Sequence, residues 1–154
     1  EAELKSRKEA FEDAISATQA ALAEGIVPGG GVAFLRAATA VERLVAEAEG
    51  DERTALRILA RALETPARQI AENSGVDPGV VVDHIRCASG GYGYDAARGA
   101  YGDMIEAGII DPTKVVRVAL QNAVSVAGTL LLAEATLTER QEEKKEETSA
   151  PELA

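Results

Sequence analysis

The residues best equipped for chemistry are a glycine run, a few aspartates, a tyrosine-rich segment and one His–Cys pair. Gly29-Gly30-Gly31 stands just before a helical run. The first N–H groups of that helix are unpaired, and glycine lets an anion or a sugar come close to them. No Gly-Lys-Ser/Thr follows, so it is not a Walker A loop, and the spacing of a dinucleotide fingerprint is missing. A tight turn between helices explains the same residues without a ligand. Asp111, directly before Pro112, can cap the first turn of the last helix, a role typically worth about 1 kcal/mol, or accept the hydroxyls of a ribose. Asp13 lies two residues beyond Phe11, a rotation of roughly 200° on a helix, and so points away from the apolar stripe, as solvated aspartates do. Tyr92-Gly93-Tyr94-Asp95-Ala96-Ala97 combines open backbone, aromatic surface and a carboxylate. That suits the edge of a purine ring, and it suits a packed hairpin equally. His84 and Cys87, three apart on one helix face, form a partly buried structural pair. One histidine and one cysteine cannot complete a structural zinc site or an intramolecular disulfide. No Ser-His-Asp or Cys-His catalytic set can be assembled.

These residues need helices to hold them. Leu4, Phe11, Ile15, Thr18 and Leu22 fall on one stripe, which predicts a long amphipathic helix over 1–24, closed by Gly25. A loop at Pro28–Gly31 leads to a second helix from Val32 to about Ala48. From about Glu52 the residues Leu56, Leu59, Leu63 and Ile70 recur at helical spacing. Thr65-Pro66 reads there as a cap followed by a first-turn proline, which predicts two helices joined at a bend. Asn73-Ser74-Gly75 ends that segment, and Asp77-Pro78 opens a helix carrying Val80, Val81 and Ile85. Residues 89–108 are rich in glycine and hold all three tyrosines. With Arg98-Gly99 at the turn, they predict a short β-hairpin. Asp111-Pro112 opens the last long helix, to about Glu134, apolar on nearly every face and so expected to be buried on all sides. The remainder, ERQEEKKEETSAPELA, reads as a solvated, disordered acidic tail.

Composition narrows the function classes. The length is that of one ordinary domain, and 46% hydrophobic with 27% charged residues describes a chain that folds. Few aromatics and no tryptophan favour close-packed helices over a large sheet. A net charge of -10 disfavours non-specific attraction to nucleic acid or anionic lipid. The most apolar stretch, Val115 to Ala133, is interrupted by Arg117, Gln121 and Asn122, which argues against a membrane span. The lack of disulfide chemistry suits the cytoplasm. The chain begins with Glu1 inside a helical pattern, so a preceding segment is expected.

Four segments occur in a recognisable order: EGIVPGGGVAFLRA (24–37), ALETPARQIAENSGVDPGVVV (62–82), YGYDAARGAYGDMIEAGIIDPTKVVRVALQNAVSVAG (92–128) and LLLAEA (130–135). Over residues 1–138 the chain resembles the C-terminal part of a group I chaperonin of the GroEL type, most specifically in YGDMIEAGIIDPTKVVR. The resemblance implies a mainly α fold, the helical bundle of a chaperonin equatorial domain with a small β-hairpin and a disordered acidic tail. Residues 1–24 would be a helix entering from the intermediate domain, 25–138 the C-terminal half of the equatorial ATPase domain, with 135–138 near a strand that pairs with a neighbouring subunit, and 139–154 the tail.

The resemblance also implies roles. Gly30 would lie against the ribose of ATP, Asp95, Ala96 and Ala97 would border the base, and Asp111 would bind the ribose hydroxyls while capping its helix. Position 95 is Asn in some family members and Asp here. Asp13 would be the catalytic aspartate that positions the attacking water, consistent with a reaction governed by positioning and electrostatics. The expected partners are other chaperonin subunits in a homo-oligomeric ring. Unfolded proteins and the co-chaperonin would bind only through an apical domain that has no counterpart here. Nucleic acid and membrane are not expected partners. The family's Gly-Asp-Gly-Thr-Thr-Thr segment, which wraps the phosphates and supplies the Mg²⁺-binding aspartate, is absent, so no metal ligand is assigned and the chain alone is expected to lack ATPase activity. The Gly-Gly-Met tail of the family is replaced by a Glu-Lys tail. The competing expectation is a nucleotide-independent helical scaffold for self-association, descended from a chaperonin.

Overall fold

The computed structural model describes residues 1–138. In chain order the elements are α1 (Ala2–Glu24), β1 (Ile26–Pro28), α2 (Val32–Glu47), α3 (Gly50–Asn73), α4 (Pro78–Cys87), β2 (Tyr92–Asp95), β3 (Ala100–Asp103), β4 (Ile110–Pro112) and α5 (Thr113–Leu132). The fold is mainly helical, as expected, and the acidic tail at 139–154 lies outside the described residues.

The core is built by α2, α3, α4 and the hairpin. Val32, Leu35, Ala67, Ala71, Val81, Val82, Ile85, Tyr94 and Met104 form one buried cluster. On α3 the buried residues are small at Ala60, Ala67 and Ala71, which lets neighbouring helices approach closely. The Asp77-Pro78 grammar is realised: Asp77 Oδ1 accepts from the N–H groups of Gly79 (2.7 Å) and Val80 (3.1 Å) at the start of α4. Ser74 and Gly75 close α3, with Ser74 Oγ donating to the carbonyl of Ala71 at 2.8 Å.

The hairpin forms with Tyr92 opposite Asp103 and Asp95 opposite Ala100. A second antiparallel ribbon pairs Ile26 with Pro112 and Pro28 with Ile110. It was not expected, because three-residue strands containing proline carry no readable alternation. It also corrects the reading of Asp111. Residues 110–112 are strand, the helix starts at Thr113, and the Thr113 N–H donates to the carbonyl of Gly25 at 3.0 Å. Asp111 is therefore not the helix cap.

One further expectation is corrected. Pro66 lies inside a continuous α3 and does not divide it. Proline removes one backbone donor, but its φ is already helical, and Leu63 and Ala67 on either side are held in buried packing. The last helix is apolar on nearly every face and, among the described residues, none of its own is buried, so it lacks the neighbours that such a helix calls for. By length and composition alone α5 is apolar enough to cross a membrane. Val124, Val126, Leu130, Leu131 and Leu132 are all exposed. The stripe on α1 is likewise open, with Leu4, Phe11, Ile15 and Leu22 between 58% and 83% exposed. Residues 133–138 form neither helix nor strand.

Candidate functional site

The three glycines after β1 have different duties. Gly29 donates its N–H to the carbonyl of Ile109 at 2.9 Å, and a Cβ there would meet Ile109 at 3.1 Å. Gly31 has φ +78° and is pressed against α3, where a Cβ would come within 2.7 Å of the Ala67 nitrogen. Both are fixed by packing. Gly30, at φ +67°, is the least crowded: a Cβ would have only ordinary contacts, with the Tyr94 carbonyl oxygen at 3.6 Å and Met104 Sδ at 3.8 Å. Its positive φ still favours glycine, and its backbone sits beside the end of β2, one residue before Asp95.

Asp95 is committed locally. Its Oδ1 accepts from the N–H groups of Ala97 (2.9 Å) and Arg98 (3.2 Å), and its Oδ2 lies 3.7 Å from Arg98 Nε. This Asx-type turn fixes the β2–β3 loop. Ala96 packs half-buried against the core and Ala97 is exposed, so both offer backbone and methyl surface and no polar side chain. Asp111 is half-buried in β4, opposite Val27, and its carboxylate has no hydrogen-bond partner among the described residues. The link from Gly29 to Ile109 ties the glycine turn to the β4 strand, and the Gly30–Tyr94 approach ties it to the hairpin. Gly30, the Asp95–Ala97 turn and Asp111 are therefore gathered on adjoining elements. Asp13 is not part of that group. It is exposed midway along α1, about 18 Å by helical rise from Gly25.

Several supporting residues carried no sequence signal. Arg36 of α2 holds the approach to the hairpin, donating to the carbonyls of Ala88 (2.8 Å), Gly90 (3.1 Å) and Tyr92 (3.4 Å). Asp103 accepts from the N–H groups of Ile105 (2.8 Å) and Glu106 (3.1 Å), ordering the segment that leads to β4. Arg117 donates to Glu24 at 2.6 and 3.0 Å, joining the end of α1 to the start of α5. That hydrogen bond holds the Glu24 carboxyl below its ordinary range and the Arg117 guanidinium above its own.

The expected His84–Cys87 pair is corrected: both residues are exposed, and His84 faces aromatic rings instead. Its ring centroid lies 4.2 Å from that of Tyr101, edge to face, and Tyr101 is stacked near-parallel to Tyr92 at 6.3 Å. Burial, followed by the neighbouring Tyr94 and Tyr92, raises the Tyr101 phenol above its ordinary range. The three tyrosines and the histidine thus form one aromatic cluster that braces the hairpin, with Tyr94 at its buried end.

Comparison with known proteins places this arrangement in context. Residues 1–141 match the TCP-1/cpn60 chaperonin family. The whole chain is 61% identical to chaperonin GroEL 5 of Bradyrhizobium diazoefficiens, of which it covers 28%. Among solved structures, the open-state monomer of a group II chaperonin from Methanococcoides burtonii superposes with a TM-score of 0.67 at 25% identity, over 70% of this chain and 28% of that one. The chain thus spans little more than a quarter of the length of the relatives it matches.

Proposed function

As the chain belongs to the TCP-1/cpn60 chaperonin family, we propose that it is the C-terminal portion of an ATP-dependent, protein-folding chaperonin subunit and supplies the base and ribose side of its ATP site. The observation that carries this reading is the convergence of an uncrowded Gly30 backbone, the hairpin turn at Asp95–Ala97 and a half-buried Asp111 without a local partner. An acceptor-only carboxylate beside open backbone fits a vicinal diol, and methyl surface at Ala96 and Ala97 fits the flat face of a base. Gly30 allows the sugar to approach, Asp111 accepts its hydroxyl protons, and the Asp95 turn holds the base-side backbone rigid.

ATP, when bound, supplies the phosphoryl group that is transferred to water. The role for Asp13 is to orient that water once α1 carries it toward the site, which is why its place about 18 Å by helical rise from Gly25 is compatible with this reading. The phosphate-wrapping segment and the Mg²⁺-binding aspartate belong to the other part of the subunit, so the isolated chain is proposed to be inactive as an ATPase. Its other partners would be neighbouring subunits of a cytoplasmic ring. The open apolar residues of α1 and α5 are assigned to protein neighbours and not to a bilayer, in keeping with Arg117, Gln121 and Asn122 along α5.

One observation favours a second reading. Leu131 and Leu132 are each 87% exposed, as a self-associating scaffold without nucleotide would require. Thermal unfolding with and without ATP separates the two when the chain is combined with an independently produced N-terminal equatorial half. A nucleotide-dependent rise in Tm that is lost in Asp111→Ala supports the ATP-site reading. Stable complexes with no nucleotide effect support the scaffold.

A further inference from the structure

The chain is acidic overall, yet one face of α3 is not. Arg53, Arg57 and Arg61 recur every four residues and so lie on one helical face over about 12 Å. All three are exposed and form no ion pair among the described residues. Arg57 and Arg61 line a cleft of about 310 Å³ between α2 and α3, together with Glu42, Val45, Ala60 and Glu64.

The two acids of that cleft are already neutralised. Glu64 Oε1 accepts from Arg86 at 2.6 Å, and its Oε2 accepts from Arg68 at 2.8 and 3.0 Å. Glu42 is held by the other terminal nitrogen of Arg86, a bond that raises the Arg86 guanidinium above its ordinary range. The cleft therefore keeps an excess of positive charge over a floor formed by Val45 and Ala60.

We propose that this arginine face is a docking surface for an acidic peptide segment, one presenting carboxylates about 6 Å apart, as glutamates four residues apart on a helix do. Planar guanidinium groups match carboxylates in paired hydrogen bonds, and the apolar floor accepts the glutamate methylenes. A nucleic-acid strand shares the sign of charge, but its bases would find no aromatic ring to stack on in a cleft lined by Glu42, Val45, Arg57, Ala60, Arg61 and Glu64. The proposal does not depend on the ATP-site reading.

The test uses the full chain and a fluorescent helical peptide with three glutamates spaced by four, compared with its glutamine counterpart. Anisotropy is measured at about 0.05 M and about 0.5 M salt, where screening differs severalfold. The glutamate peptide should bind at least about tenfold more tightly than the glutamine peptide, and weaken on adding salt. The variant R53Q/R57Q/R61Q should lose about tenfold in affinity, with an unchanged circular dichroism spectrum because all three residues are exposed. R57E/R61E should bind the matching lysine peptide in preference to the glutamate peptide. Equal binding of the two original peptides, no binding by either, or unchanged affinity in both variants overturns the proposal. So does tighter, arginine-dependent binding of a single-stranded oligonucleotide, or binding of free glutarate that equals that of the peptide.

Discussion

Helices α2, α3 and α4 with the β2–β3 hairpin bury a shared core, whereas α1 and α5 bury no residue of their own. The difference is not one of apolar content. Phe11, Ile15, Val124 and Leu130 are as hydrophobic as Leu35 and Ile85, but among the described residues only the latter two are buried. Burying such side chains stabilises by about 1.5–3 kcal/mol each relative to exposure. Among the described residues, α2, α3, α4 and the hairpin thus close on one another, while the apolar side chains of α1 and α5 stay exposed.

Substitutions at matched chemistry break this comparison most sharply. Ile85→Ala should destabilise the chain by about 2–5 kcal/mol in urea unfolding. Phe11→Ala or Leu131→Ala should change stability by no more than about 0.5 kcal/mol and should reduce self-association in light scattering. Next in size, Gly31→Ala forces a side chain into the left-handed region and against the backbone of Ala67. It should cost about 2–4 kcal/mol, while Gly30→Ala, with room for its Cβ, should cost clearly less. Loss of the Asp77 cap in Asp77→Ala should cost about 1 kcal/mol, within a range of about 0.5–2.

The smallest effect lies at the Glu24–Arg117 pair. Because the folded-state pKa of Glu24 is depressed, its contribution is present above the ordinary glutamate range and is lost as pH falls through the folded value. Glu24→Gln should remove that part of the acid dependence by lowering stability near neutral pH by the same small amount, as expected for an exposed pair, and should leave stability below the folded value unchanged. A Gln variant with the same acid profile as the parent would show that this pair does not contribute.

How much of this was legible in the sequence follows from the length of each signal. The long helices were readable from apolar spacing, and α4 from Asp77-Pro78, because a cap and a proline act within a few residues. The hairpin was readable from its glycines and tyrosines. The β1–β4 ribbon was not, since Ile26–Pro28 and Ile110–Pro112 are far apart in sequence and too short to alternate. For the same reason the Asp111-Pro112 pair signals a helix cap locally, whereas Asp111 is a strand residue. Pro66 was read as a helix boundary because local grammar cannot register the buried neighbours that keep α3 continuous. At the candidate site, Gly30, Asp95, Ala96, Ala97 and Asp111 gain a role only through the resemblance to the chaperonin family, while Arg36, whose partners lie more than fifty residues away, leaves no local trace.

The central claim is that this chain holds one side of an ATP site and needs the remainder of the subunit to complete it. Equilibrium dialysis of labelled ATP against the chain, alone and combined with an N-terminal equatorial half, tests that claim most directly. The account predicts no measurable binding by the chain alone, and binding in the combined sample that is lost in Asp111→Ala. Binding of ATP by the chain alone as tight as in the combined sample, or a folded combined complex that never binds ATP, would contradict it.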